Sequence, residues 1–389
     1  MSVRNLEALL PLIKVRRLAH SNWFNYSGWK TEKKYVLIES DDWGSIRNWS
    51  PEAHQALINA GDRLDEHPFT RYDAMASSDD LELLFDVLTA FKDSKGNHPV
   101  ITANCAVANP DFQKIRESDF TSYFYEPFTE TLKRHKSHEN AFKLWQYGIN
   151  EGVFYPQLHC REHVNITRWL DELGKGDKSL RLAFEHNMMS GRSAVSKNNL
   201  FAYTDAFNYY GPEFDELMNE IISEATALFK EIFGYESRSF VASCYVWSDS
   251  LERILAEHKI EYIQGGNYQL HPTDKGYGRF QKKMNRIGDR NEYDQLYLVR
   301  NCHFEPSMGK GSHEVDLCLA QVNNSFRWGR PATICTHRFN YVGVIDVTNR
   351  DRNLPLLEEL LSEILKQWPD VEFITSTNLG DIIRRGEVG

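Results

Sequence analysis

A chain of 389 residues, 41% hydrophobic and 26% charged, has the apolar material for a large core and the balance of a soluble globular protein. Its formal net charge of −10 at pH 7 argues against a nucleic-acid partner, which asks for a basic face. No apolar run reaches membrane-spanning length, the N-terminus lacks a secretory apolar region, and the six cysteines form no Cys-x-x-Cys pair, so a cytoplasmic protein with buried free thiols is expected.

Residues 1–20 read as a basic amphipathic helix, with Leu6, Leu9, Leu10, Leu12 and Ile13 set against Arg4, Lys14, Arg16 and Arg17. Such a helix packs on the body of the protein or on a second subunit in a homo-oligomer. The weaker alternative is a peripheral membrane contact. Residues 1–30 are taken as this helix and its lead-in, and 31–389 as one domain.

Residues 34–38 then read as an apolar strand that delivers two adjacent carboxylates, Asp41 and Asp42, followed by Trp43 and Gly44. Two neighbouring carboxylates repel unless a cation or a shared proton compensates. Ser50 followed by Pro51 starts a helix to about residue 60, and Ser78 or Asp79 starts the next. A second strand covers 100–103, an aromatic-rich helical region 125–150, and a third strand, 153–158, delivers His159. A short helix at 166–173 is followed by a polar, aromatic, turn-rich stretch at 185–212, which reads as a functional loop or lid. A helix at 212–233 ends at Gly234. Strand 239–243, helix 248–258 and strand 261–264 follow, then a Gly- and charge-rich surface loop at 266–295. Strand 295–300, a helix near 313–323, strand 332–336 delivering His337, helix 354–367 and strand 371–375 complete the chain. Strands alternating with helices of crossover length imply a parallel sheet, and seven or eight such units imply a barrel.

His159 and His163 stand four residues apart and follow a strand, so both fall at the rim where Asp42 is delivered. Two imidazoles and one carboxylate make a tridentate site with room for water, the pattern of catalytic zinc. The apolar strand ending at His337 hands a third titratable group to the same rim.

In this order, Ser40-Asp-Asp-Trp-Gly44, His159-x-x-x-His163 and Ile334-Cys-Thr-His337 resemble the motifs of the NodB-homology polysaccharide deacetylases of carbohydrate esterase family 4. The resemblance implies an α/β fold, a distorted (β/α)7–8 barrel with extra loops at about 105–150, 185–212 and 266–295. It implies a metal-dependent hydrolase that removes an acetyl group from an N-acetylated sugar or glycan precursor, in surface polysaccharide biosynthesis. Asp42, His159 and His163 would hold a divalent metal, Zn²⁺ first. Asp41 would be the general base and His337 the acid that protonates the leaving amine. The backbone N–H of Tyr245 would help bind the oxyanion. Trp43, Tyr245 and Trp247 would wall the pocket, with core packing as an equal reading, and Arg338 and Asn340 would touch the carbohydrate, with a surface role as an equal reading.

Two motifs depart from the family pattern. The third-motif arginine that orients the catalytic aspartate has no counterpart in Ser239-Phe-Val-Ala-Ser-Cys-Tyr245, which leaves Arg47, Arg161 and Arg338 as candidates. The Asp-x-x-Trp motif is not recognisable, and Gln264-Gly-Gly-Asn-Tyr stands near its place. Two other functions stay open: an amidohydrolase of the same superfamily acting on a small cyclic amide, and a catalytically silent glycan-binding protein.

Overall fold

Thirteen short strands appear in a computed structural model that describes residues 25–197, 199–309 and 313–386. They are β1 (Tyr35–Trp43), β2 (Ile101–Ala106), β3 (Ala108–Pro110), β4 (Tyr125–Pro127), β5 (Phe154–Cys160), β6 (Ser239–Val241) and β7 (Tyr262–Gly265). Then come β8 (Tyr268–Pro272), β9 (Phe280–Met284), β10 (Leu296–Val299), β11 (Cys302–His303), β12 (Ala332–His337) and β13 (Glu372–Phe373). The main sheet runs β10-β7-β6-β5-β2-β1-β12-β11, and its neighbours are parallel.

Only Arg300 and Asn301 separate the two end strands of that order. The Arg300 amide donates to Gly265 O at 2.9 Å beside β7, and the Asn301 amide donates to Thr333 O at 3.2 Å beside β12. Residues 296–303 therefore act as one broken strand that joins both edges, and the sheet closes on itself. Seven strand positions in sequence order make the ring, a distorted (β/α)7 barrel as expected. A ninth strand, β13, pairs with the start of β1 outside this ring order.

Residues of β1 alternate between two environments, as a pleat requires. Val36 and Ile38 join the core shared with the outer helices, where Leu81, Leu84, Phe85 and Leu88 also lie. Tyr35 and Leu37 face the barrel interior, where Leu379, Ile382 and Ile383 of the last helix, Ser376–Arg384, plug the amino-terminal end. Glu39 lies one step higher and Asp41 higher still, at the carboxyl-terminal rim where such barrels carry their sites.

Several expected helices carry the caps their sequences advertise. Ser50 accepts from the Ala53 amide ahead of helix Pro51–Asn59. Ser77 and Asp80 form a capping box for Ser78–Thr89. Gly234, at φ 78°, ends Asp215–Phe233.

Other elements differ from expectation. The aromatic region 125–150 is not one helix: β4, helix Phe128–Leu132, a 3₁₀ turn and helix Ala141–Asn150 share it. The expected surface loop at 266–295 contains an antiparallel hairpin, β8 with β9, whose turn uses Gly276 and Gly278 at positive φ. The helix expected from 354 begins at Val347 and carries Pro355 inside it. Its polar first turns are held by buried Asn349 and Asn353, which donate to Phe339 O (2.8 Å) and Asn340 O (3.0 Å). Helix Ser376–Arg384, with its Thr375/Asn378 capping box, was not expected at all. The helix read at 1–20 lies outside the described residues. No described helix is long and apolar enough to cross a membrane.

Candidate active site

β1 sends two consecutive carboxylates to the rim by breaking its own alternation. Asp42 adopts φ 73°, and the pairing with β2 shifts register between Ser40 and Trp43. The bulge turns Asp42 toward the barrel mouth beside Asp41 and swings Trp43 out into the core. There the Trp43 ring meets Trp145 and Phe154 edge to face, and its Nε1–H donates to Ser40 Oγ at 2.9 Å. Trp43 is therefore a core residue, the second of its two expected readings, and not a pocket wall. Gly44 follows at φ 79°, where a Cβ would lie 2.3 Å from Ala106 O, so only glycine fits this turn.

Asp42 meets the two expected imidazoles. Its Oδ1 is 3.0 Å from His163 Nε2 and 3.5 Å from His159 Nε2. His159 Nδ1 donates to Val241 O at 2.7 Å, which fixes the proton there and leaves Nε2 as the lone-pair donor toward Asp42. Among the described residues no amide or guanidinium hydrogen bond reaches the Asp42 carboxylate, although it is only 5% exposed. Burial works against its charge, yet the imidazoles hold it ionised, well below the usual carboxylate range. Burial likewise keeps His163 toward its neutral form. An ionised carboxylate and a neutral imidazole are the states a divalent cation requires. The converging atoms of Asp42, His159 and His163 thus fit Zn²⁺ or a similar ion.

Asp41 is held by a residue the sequence did not single out. Arg300, at the break between β10 and β11, donates from Nη1 to Oδ2 (2.6 Å) and from Nη2 to Oδ1 (2.7 Å). Its Nε donates to Glu39 Oε2 at 2.6 Å and Nη1 also reaches Tyr245 Oη at 3.0 Å. Asn104 adds a bond to Asp41 Oδ1 at 2.7 Å. Burial alone would raise the Asp41 carboxyl, but the Arg300 charge outweighs it and keeps Asp41 ionised. The candidates named for this role are engaged elsewhere. Arg161 pairs with Glu162 and Glu224, Arg338 with Asp73, and Arg47 stands 3.7 Å from Asp73. Arg300 was legible in principle, because Leu296-Tyr-Leu-Val-Arg300 is an apolar strand ending in a charge, like the strands of Asp41, His159 and His337.

His337 faces the pair from β12. Its Nε2 lies 3.8 Å from Asp41 Oδ2, and its Nδ1 donates to Glu305 Oε1 at 2.6 Å. Burial favours neutral His337, but the Glu305 carboxylate in contact, helped by Cys335 and Asp41, holds it protonated well above the usual histidine range. Glu305 also escaped the sequence reading, since it sits in a loop with no periodic pattern. Asn340 is fully buried and donates to Glu305 Oε2 at 2.6 Å, so it steadies the acid's partner and is not placed to touch substrate. Arg338 is equally buried. It bonds Asp73 Oδ1 (3.0 and 2.9 Å) and Ser45 O (2.8 Å), tying down the loop after β1, and does not line the cavity. Trp247 belongs to the core, with Nε1–H on Glu252 Oε1 at 2.8 Å.

Tyr245 does face the cavity. Its backbone amide, however, donates to Ala242 O at 3.0 Å. The oxyanion role expected of that amide is closed by the tight turn at 243–245, where Cys244 and Tyr245 both have positive φ.

Asp41, Asp42, His159, His163 and His337 form the floor of one cavity of about 350 Å³, the scale of a small-molecule site. Phe69 and Tyr245 stand on its sides. Residues 192–197 and 199–204 cross above it as a strap that contributes Arg192, Val195, Leu200, Phe201, Ala202 and Thr204. The strap is the stretch read as a lid. Asp62 pins it, accepting at Oδ1 from the Arg192 amide (2.9 Å) and at Oδ2 from the Ser193 amide (3.2 Å).

No family model and no curated protein matches the sequence. Solved structures do share the course of the chain. A probable polysaccharide deacetylase from Pseudomonas aeruginosa PAO1 is 8% identical, with a TM-score of 0.47, over 92% of this chain and 93% of that one. A putative polysaccharide deacetylase from Mycobacterium smegmatis is 11% identical, with a TM-score of 0.45, over 93% and 94%. Puue allantoinase is 10% identical, with a TM-score of 0.43, over 94% and 95%. At identities of 8–11% and TM-scores of 0.43–0.47 these are similarities along the chain's course, and no role is drawn from them.

Proposed function

We propose that this protein is a metal-dependent hydrolase that removes the acyl group of an N-acylated sugar. The observation that carries the reading is the division of labour at the rim. One aspartate is committed to a guanidinium and its neighbour to two imidazoles, while a protonated histidine stands across from both.

Asp42, His159 and His163 are the residues that would hold the cation. When bound, such a cation polarises a carbonyl and lowers the pKa of water. Asp41, fixed by Arg300 and Asn104, takes the proton of the attacking water. Its basicity is low because Arg300 stabilises the ionised form, so it depends on water made more acidic at the same rim. His337 carries a proton at Nε2, directed to the same space, and passes it to the departing amine. Glu305, held by Asn340, keeps that proton in place. The strap limits the entry of bulk water, which strengthens the charge interactions beneath it.

The size of the cavity and its cover support a monomeric or precursor-linked sugar over a long polymer. The same enclosure suits a small cyclic amide, which keeps an allantoinase-like activity as the second reading. The metal-loaded protein should release acetate from N-acetylated sugars and leave cyclic ureides intact. Ring opening of a ureide without deacetylation would transfer the assignment to the second reading.

A further inference from the structure

The cations on the cavity wall are not accounted for by the chemistry above. Arg47 and Arg192 both line the cavity. The Arg47 side chain is only 14% exposed, yet among the described residues its one ion-pair neighbour is Asp73 at 3.7 Å, beyond hydrogen-bond reach. Asp73 is already taken by two bonds from Arg338. Arg192 has a buried Nε with no hydrogen-bond partner, and the strap geometry aims this residue at the cavity it lines. His67 lines the same cavity; burial lowers its imidazole first, and the nearby charges of Arg192 and then Arg47 lower it further. The two acidic groups of the floor are already engaged, Asp41 by Arg300 and Asp42 by His159 and His163.

A guanidinium presents a planar fork of donors that matches a carboxylate or phosphate, and desolvating it without a partner is unfavourable. Two such forks and an imidazole lining the same cavity as the reacting groups make a receptor for an oxyanion. We propose that the cavity selects an N-acylated sugar that bears an oxyanion, either a carboxylate or a phosphate ester, held by Arg47 and Arg192. The proposal rests on the deacylase reading for the reacting group and on the wall alone for the anion.

The test uses the metal-loaded full chain and three acceptors: N-acetylglucosamine, its 1-phosphate and N-acetylmuramic acid. Acetate release and calorimetric binding are both measured. At least one anionic sugar should be preferred over the neutral one by tenfold or more in kcat/KM. That preference should fall at least tenfold in Arg192→Gln and in Arg47→Gln, through KM. Arg47→Lys, which keeps the charge, should retain most of it and serves as the folding control. The phosphate and carboxylate arms tell the two anion sources apart. Equal or better turnover of the neutral sugar, or a preference untouched by either glutamine variant, overturns the proposal while the deacylase reading stands. If no sugar is hydrolysed, that reading fails and binding decides. Tighter binding of an anionic sugar to wild type than to the glutamine variants keeps the receptor, and equal binding overturns it.

Discussion

Asp41 on β1 and His337 on β12 are register partners across two parallel strands, so their side chains leave the sheet toward the same space. The proposed base and acid thus owe their 3.8 Å spacing to strand pairing and not to loop conformation. Sites built on strands hold their geometry well, and the consequences can be tested residue by residue.

Arg300 is the positioning residue for Asp41. Arg300→Lys keeps one charge but loses the two-pronged grip, and kcat should fall about 10–100-fold, the scale of a misplaced catalytic group, with metal content unchanged. Arg300→Met strands Glu39 and Asp41 as buried carboxylates and should cost about 3–5 kcal/mol of stability. Urea melts and single-turnover rates separate the two effects. Wild-type turnover in the lysine variant would remove Arg300 from the mechanism.

Asp41→Asn keeps the shape of the base without its charge. Turnover should drop about 10²–10⁴-fold, as expected on losing a general base, while the protein still takes up one equivalent of metal. Loss of metal along with activity would show that Asp41 is itself a ligand.

For the cation, His159→Ala removes one of three donors. Metal affinity measured by competition with a chromophoric chelator should fall by at least tenfold, and prolonged chelation of wild type should abolish turnover reversibly. Unchanged affinity in this variant would mean the ion binds elsewhere.

Glu305→Gln tests the acid through pH. In wild type the Glu305 carboxylate overrides burial and holds His337 protonated above the usual histidine range. The protonated form therefore persists through neutral pH, and the rate declines only as pH rises through the elevated pKa. With glutamine at 305 burial dominates, so the alkaline limb of kcat should move to lower pH. An unmoved limb would take the acid role away from His337.

The strap depends on Asp62. Asp62→Ala removes the acceptor of the Arg192 and Ser193 amides, contacts worth about 1 kcal/mol each by the usual measure. Limited proteolysis near residue 193 should accelerate and KM should rise, with kcat less affected. A strap that stays equally protected would be held by its apolar contacts alone.

What the sequence made legible follows from where periodicity survives. Asp41, His159 and His337 each end an apolar strand, and that pattern is visible in any one of them. Trp43 misled because two-residue alternation would put it on the face of Asp41. The positive φ at Asp42 inserts a half-turn that no alternation rule anticipates, and it carries Trp43 into the core. Arg300 bears the same strand-end pattern, but the family pattern places the arginine after β6, whereas the barrel supplies it from the position between β7 and β12. Glu305 follows the two-residue strand β11, too short to leave a period. Arg338 and Asn340 looked like substrate contacts because polar residues beside a proposed acid suggest binding, whereas both spend their hydrogen bonds inside the fold.

The broken strand at 296–303 has one more consequence, for the order of events in folding. Asp41 and Arg300 are 259 positions apart along the chain, and Ser376, which bonds Glu39 Oε1 at 2.7 Å, lies 337 positions from it. Contacts of such separation form late, after many loops have been closed. A growing chain that has not yet released residue 300 already holds both aspartates and both metal-facing histidines, but without the guanidinium that orders the base. On the proposed mechanism, turnover would therefore report that the last segment has docked.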